Sequence, residues 1–209
     1  VAWKASGVSL ELFVDECVLR PRRFSEALGR QVAREGLARS AERVADLGTG
    51  VGVVALTIAA EAPELEVWAT ELRPEALELA RRNARANGLA VSFALGDWFD
   101  ALPADLRGRL DLAVATPPYL TPEEYAAEPP SVRNHTPYLA MVGGPTGLEP
   151  AAAIAAQARI WLRPGGALYL EAHPGMFDAT AELLADAGFE VEANRWMSLV
   201  IARRPGSAS

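Results

Sequence analysis

The stretch Val44-Ala45-Asp46-Leu47-Gly48-Thr49-Gly50-Val51-Gly52-Val53-Val54-Ala55-Leu56 limits what this chain can become more than any other. A short apolar run breaks at closely spaced glycines and resumes as a helix-forming run through Ala60, which reads as a strand, a tight turn and a helix start. Glycine suits such a turn because it reaches positive φ and lets a ligand approach the backbone without meeting a Cβ. The spacing G-x-G-x-G departs from the dinucleotide fingerprint G-x-G-x-x-G, whose third glycine would fall where Val53 stands. Asp46, just before the turn, suits a ligand with hydrogen-bond donors or positive charge at that end more than one carrying two phosphates. Taken alone, the stretch is equally compatible with a bare βα connection.

Glu71 shifts that balance. It ends the next apolar run, Val67-Trp68-Ala69-Thr70, about twenty residues after the glycines, where an acidic side chain at a second strand end accepts a pair of ribose hydroxyls. Turn and carboxylate together describe an adenosine-binding α/β half, with the cofactor itself open at this point.

At 209 residues, 50% hydrophobic and 22% charged, the chain can bury one sizeable core, and a single domain is expected. Net charge is −7, and arginine clusters only in pairs such as Arg22-Arg23, Arg81-Arg82 and Arg203-Arg204. That weighs against a large phosphate-binding face and makes nucleic acid the less favoured partner. The lone Cys17 has no partner for an internal disulfide, and no Cys/His set has zinc spacing, so a cytoplasmic protein without a structural metal is expected. No apolar run reaches membrane-spanning length and no signal-peptide core is present, so no membrane association is expected. A start at Val1 without Met leaves room for sequence before it.

Val8 to Val14 alternates well enough for a strand or hairpin arm, Arg20-Pro21-Arg22 makes a turn, and Ser25 is placed to cap a helix running to about Leu37. After the glycine turn the pattern predicts strand Glu66 to Glu71, helix Pro74 to Ala86 ended by Asn87-Gly88, strand Val91 to Leu95 and strand Leu110 to Ala115. A polar, proline-rich loop covers Thr121 to Pro150. Helix Ala151 to Leu162 follows, then a turn at Arg163-Pro164-Gly165-Gly166, strand Ala167 to Ala172, helix Met176 to Ala187, and two closing runs, Phe189 to Arg195 and Ser198 to Arg203. Strands alternating with helices imply a mostly parallel sheet, and the last two runs are too close for a crossover helix, so they should pair antiparallel at one edge. A ligand is expected outside the carboxyl ends of the strands.

Two further stretches sit at such ends. In Gly96-Asp97-Trp98 the carboxylate can accept from an exocyclic amine and the indole can lie along a purine face, although a loop Asp beside a core Trp has the same spelling. In Thr116-Pro117-Pro118-Tyr119 two prolines remove two N–H donors and hold the carbonyls in fixed directions. A fixed carbonyl plus a side-chain oxygen can grip an N–H₂ group through both hydrogens while Tyr119 stacks on a planar amide or base. The plainer alternative is a proline-terminated strand followed by an amphipathic tyrosine.

These residues, with Pro130-Ser131-Val132-Arg133-Asn134-His135, Gly143-Gly144-Pro145, Gly147-Leu148, Leu162-Arg163-Pro164-Gly165-Gly166 and the upstream Val18-Leu19-Arg20-Pro21-Arg22, resemble the S-adenosylmethionine-dependent glutamine-N5 methyltransferases that modify peptide-chain release factors. The match runs in order from about residue 8 to 203. The resemblance implies a class I methyltransferase fold, α/β and Rossmann-like, with a seven-stranded, mostly parallel sheet and a reversed C-terminal hairpin. It implies an entry segment over residues 1–42 and a methyltransferase domain over 43–209. It implies a cofactor site for S-adenosyl-L-methionine, released as S-adenosyl-L-homocysteine, formed by Asp46, Gly48, Thr49, Gly50, Gly52, Glu71, Leu72, Asp97, Trp98 and Thr116. Thr116, Pro117, Pro118 and Tyr119 would hold the target carboxamide, with Thr116, Pro117 and Tyr119 carrying the catalysis, and Arg133 and His135 would touch substrate. A loop histidine is as readily a locally hydrogen-bonded residue.

Two departures stand out. Thr116 occupies the place of the family's Asn, keeping an acceptor oxygen but losing the planar carboxamide, and a hydroxyl there also resembles the Ser-Pro-Pro-Tyr of enzymes that methylate the cytosine exocyclic amine. The bacterial release-factor enzymes also carry an N-terminal helical domain, whereas this sequence holds only about forty residues before the glycine turn. The leading expectation is therefore N-methylation of an amide in a protein or peptide, a release factor above all. The alternatives are an amine on a small molecule or a nucleic-acid base, a binding protein without turnover, and a nicotinamide dehydrogenase.

Overall fold

A computed structural model describes residues 2–4, 10–15 and 18–206; Val8 and Cys17, which entered the expectations above, lie outside the described residues. The chain forms a two-stranded sheet, β1 (Ala2–Lys4) with β2 (Glu11–Phe13), and a seven-stranded sheet in the order β5-β4-β3-β6-β7-β9-β8. Two compact units divide it, Val1–Pro103 and Ala104–Ser209.

In the first unit, parallel strands β3 (Arg43–Leu47), β4 (Glu66–Glu71) and β5 (Ser92–Leu95) alternate with α2 (Val53–Glu61) and α3 (Pro74–Asn87), after an opening helix α1 (Arg23–Ala38). α2 is apolar all round and buried from Val53 to Ala59, as a helix enclosed on every side must be. α1 lies on it because Gly29 has no side chain: a Cβ there would stand 2.8 Å from Thr57 Cβ. α3 begins at Pro74 and ends at Gly88, which takes φ 64°, the asymmetry expected of those residues. Ser25, expected as the cap of α1, is not: the helix begins at Arg23, Arg22 is the cap residue without a side-chain bond, and the Ser25 N–H donates to the Arg22 carbonyl.

The entry hairpin is held to α3 by two carboxamides. Asn83 Oδ1 accepts the Phe13 N–H at 2.7 Å and Asn83 Nδ2 donates to the Phe13 carbonyl at 3.1 Å. One turn on, Asn87 does the same for Glu11, at 3.0 and 2.9 Å. Residues four apart on a helix rise about 6 Å and alternate strand residues are about 6.7 Å apart, so one helix face matches one strand edge. Asn83 Nδ2 also donates to the Val51 carbonyl at 2.9 Å, which joins the hairpin to the glycine turn. Leu10, Leu12 and Val18 pack into the same core as Val51, Leu56 and Ala76.

In the second unit, β6 (Leu110–Ala115) pairs parallel with β7 (Leu162–Glu171), and β9 (Leu199–Arg203) pairs antiparallel with both β7 and β8 (Glu190–Asn194). The closing runs thus form the antiparallel edge that their short separation predicts. α6 (Glu149–Trp161) and α7 (Phe177–Asp186) precede β7 and β8. Two expectations need correction. Arg163 to Gly166 is an irregularity inside β7, with Gly165 at φ 76°, because its N–H still donates to the Arg204 carbonyl and Gly166 packs against the Leu110 and Asp111 carbonyls. The segment Thr121 to Pro150 holds two short helices, α4 (Pro122–Ala127) and α5 (Pro130–Arg133). α4 starts on a reciprocal capping box between Thr121 and Glu124 that the Thr-Pro-Glu-Glu spelling carries.

Asn83→Ala should lower the free energy of unfolding by about 2–4 kcal/mol in urea titrations, because it strands the Phe13 and Val51 backbone groups, and Asn87→Ala, half-buried, by about 1 kcal/mol. Equal small losses would mean that the ladder is dispensable.

Candidate active site

The carboxyl ends of β3 and β4 meet over the glycine turn. Gly48, Gly50 and Gly52 take φ of 72°, 57° and 92°, conformations closed to most side chains. The turn is tied down from two sides. Thr49 N–H donates to the Thr70 carbonyl at 2.8 Å, and the Glu71 carboxylate accepts the Gly50 N–H at 3.0 Å through Oε2 and the Arg73 N–H at 3.0 Å through Oε1. Asp46, 1% exposed, accepts the Thr49 hydroxyl at 2.6 Å and the Ala55 N–H at 3.1 Å, both on Oδ2. It therefore caps the first turn of α2, whose cap residue Gly52 has no side chain to do so. Burial pushes its pKa up to about 6, helped by the Glu71 charge and opposed by the two hydrogen bonds.

Two more expected residues adjoin the turn. Trp98 lies against Gly48, where an added Cβ would come 2.9 Å from its ring. Its own backbone sits at φ 39°, a strained conformation for a bulky residue and one that aims the indole back over the turn. Asp97 precedes it, solvent-exposed, its carboxyl held above the usual range by partial burial and by Asp100. Leu72 is half-exposed beyond Glu71. A side chain at Gly50 would meet nothing within 4 Å, so the outer face of the turn is open.

In the second unit, β6 is buried along its whole length and runs into Thr116, Pro117, Pro118 and Tyr119, of which Pro117 is buried and the others half-buried. This corner is pressed from behind by glycine backbone. A Cβ on Gly143 would fall 2.5 Å from the Pro118 carbonyl oxygen, and one on Gly147 would fall 2.2 Å from that of Tyr119. Leu120 forms a parallel bridge with Val142, its N–H donating to the Met141 carbonyl and its carbonyl accepting the Gly143 N–H, each at 2.9 Å. Backbone from 141 to 147 thus fixes the directions of carbonyls that proline alone only stiffens.

Arg133 and His135 are exposed and turned into their own loop: Arg133 Nε donates to the Glu128 carbonyl at 3.0 Å, and His135 Nδ1 lies 3.0 Å from the Ser131 carbonyl. Sequence reasoning passed over His173, whose ring packs on Tyr119, and the clamping role of Gly143 and Gly147. The glycine-rich spelling after a diproline strand end was a usable signal for the clamp; nothing local marks His173.

Two expected outcomes follow. Between about pH 4 and 6 the folded chain holds the Asp46 proton and the unfolded chain does not, so native stability falls as pH rises through that window. Chemical denaturation should show the wild type losing about 2 kcal/mol relative to Asp46→Asn between pH 4 and 7; a gain would reverse the assignment. Gly147→Ala, strained by φ 76° and by the Tyr119 carbonyl, should cost about 2 kcal/mol or more, read as a lowered Tm.

A family model described as "Methyltransferase small domain" matches residues 25–128. A release factor glutamine methyltransferase of Deinococcus radiodurans is 42% identical over 202 residues, covering 94% of this chain and 70% of that protein. Another, from Cereibacter sphaeroides, is 42% identical over 172 residues, covering 81% of this chain and 59% of its own length, less than two thirds. In fold, the chain is similar to the crystal structure of a methyltransferase from Pyrococcus furiosus, with TM-score 0.66 and 20% identity over 96% of this chain and 91% of the other. Identity and coverage of that extent establish that the chain belongs to the release factor glutamine methyltransferase family.

Proposed function

We propose that this chain transfers a methyl group from S-adenosylmethionine to the side-chain amide nitrogen of a glutamine in a protein such as a release factor, in the cytoplasm. The observation that carries the reading is the diproline corner: the Thr116 and Pro117 carbonyls each precede a proline and so have no neighbouring N–H, the Pro118 and Tyr119 carbonyls after them are backed by Gly143 and Gly147, and the Tyr119 ring follows directly. Residues 43–209 form the methyltransferase domain in this reading and residues 1–42 its entry segment.

The glycine turn fits the methyl donor. Its face at Gly50 is open, and the Glu71 carboxylate, having accepted one backbone N–H on each oxygen, keeps lone pairs for a ribose diol. Asp46 and Thr49 hold the turn in shape, Gly48 and Gly52 give it its path, Leu72 adjoins the sugar, and Asp97 and Trp98 flank the adenine. Bound there, S-adenosylmethionine supplies an electrophilic methyl on sulfur.

At the acceptor, Thr116 Oγ1 and the Pro117 carbonyl each accept one hydrogen of the target N–H₂, and Tyr119 stacks on the amide plane beside Pro118. An amide lone pair is delocalised, and hydrogen bonds from its N–H₂ favour the rehybridised nitrogen of the transition state, where they become strongest. A new N–C bond forms in line with the breaking C–S bond, and the surplus proton leaves the nitrogen for water. Placement supplies most of the rate, and no strong base is required. Thr116 offers one hydroxyl oxygen where a carboxamide would offer a planar group, so acceptor grip leans more on Pro117 and Tyr119. Arg133 and His135 lie on the loop that borders this corner in sequence and would meet the substrate protein outside the reacting amide.

Incubated with labelled S-adenosylmethionine and purified release factor, the wild type should label one glutamine. Thr116→Ala and Tyr119→Ala should each reduce kcat/KM for the acceptor by about 100-fold, with donor affinity unchanged in Tyr119→Ala. Full activity in both variants would show that the corner has no part in the reaction.

A further inference from the structure

His173 follows β7, the strand paired parallel with β6, so His173 and Tyr119 leave neighbouring strands at the same end. The half-buried imidazole lies against the Tyr119 ring, with centroids 5.1 Å apart and planes tilted by 36°. It is itself fixed: Nδ1 accepts the Gly175 N–H at 3.3 Å and caps the short 3₁₀ turn Pro174–Met176. The same loop reaches Tyr119 a second time. Gly147, backed against the Tyr119 carbonyl, has Met176 Cε on its other contact, 2.7 Å from where a Cβ would stand. Ring and carbonyl of Tyr119 are therefore both braced, directly or through Gly147, by residues 173–176.

We propose that His173 is a positioning residue for the methyl acceptor, acting through Tyr119: its ring fixes the plane on which the target amide lies. The inference rests on the reading above, in which that amide stacks on Tyr119. The tyrosine χ2 torsion is soft, so nothing within the side chain sets its plane. An imidazole packed on the ring does, at a centroid separation within the range of interacting aromatic pairs. The consequence is chemical. The amide nitrogen's lone pair stands perpendicular to the amide plane, so the tilt of the supporting ring sets the line along which nitrogen meets the methyl carbon, and in-line transfer tolerates little error in that line.

His173 does two things that substitution separates. His173→Asn keeps an oxygen that can cap the 3₁₀ turn and removes the ring; His173→Phe keeps a ring and removes the acceptor. Steady-state kinetics with S-adenosylmethionine and purified release factor should show kcat/KM for the acceptor lowered about tenfold in His173→Asn, with unchanged donor affinity by calorimetry and unchanged Tm. His173→Phe should recover to within about threefold of wild type while its Tm drops for want of the cap. Wild-type kinetics in His173→Asn, equal impairment in both variants, or a parallel loss of donor affinity would each overturn the inference. Thr116→Ala, assayed alongside, tells the two readings apart. If it is inactive while His173→Asn is fully active, positioning by His173 fails and the reaction stands. If the wild type leaves release factor unlabelled, the reaction reading fails and the inference falls with it.

Discussion

Backbone approach closer than any side chain permits is the constraint on which the glycine turn and the diproline corner each depend. Gly48 lies under the Trp98 ring, Gly143 against the Pro118 carbonyl and Gly147 against that of Tyr119, each nearer than a Cβ could come. The contacts of Gly143 and Gly147 give the corner its precision because main chain held by main chain has few torsions left to relax. Close approaches also concentrate risk: at Gly48 and Gly147 a methyl group would meet a positive φ and a steric wall together.

The second theme is the use of polar side chains as substitutes for backbone. Asp46 stands in for a helix cap that glycine cannot supply, and Glu71 takes the Gly50 N–H. Glu71 lies close enough to help raise the proton affinity of Asp46, and each carboxylate accepts hydrogen bonds from the chain around the turn. Arrangement of charge and arrangement of loop are thus linked: Glu71 accepts the Gly50 N–H, and Asp46 accepts the Thr49 hydroxyl between Gly48 and Gly50.

Much of this was legible in the residues. β4 and β6 match the expected strands residue for residue, and Pro74 and Gly88 bound α3 as their chemistry demands. The antiparallel final pair followed from the short connection between two apolar runs. What escaped had no local signature. Ser25 is a good capping residue, yet the helix starts before it, since tertiary packing of α1 outweighs one cap. Arg163 to Gly166 reads as a turn, but the neighbouring strands supply partners and draw it into β7. His173 is an unremarked residue in a Pro-Gly loop until the parallel pairing of β6 and β7 sets it beside Tyr119. The capping box at Thr121 is different: Thr-Pro-Glu-Glu spells it locally, inside a stretch that otherwise reads as a polar, proline-rich loop.

The amide ladder from α3 to the entry hairpin has a consequence beyond attachment. Leu12 faces β1 in register with Trp3, so the hydrogen-bonding groups of Glu11 and Phe13 point the other way, where an exposed strand would ordinarily recruit another polypeptide. Asn83 and Asn87 occupy those groups. A helix here impersonates a strand, and by doing so it seals the flank of a three-residue strand against intermolecular pairing without adding a single residue of β-structure.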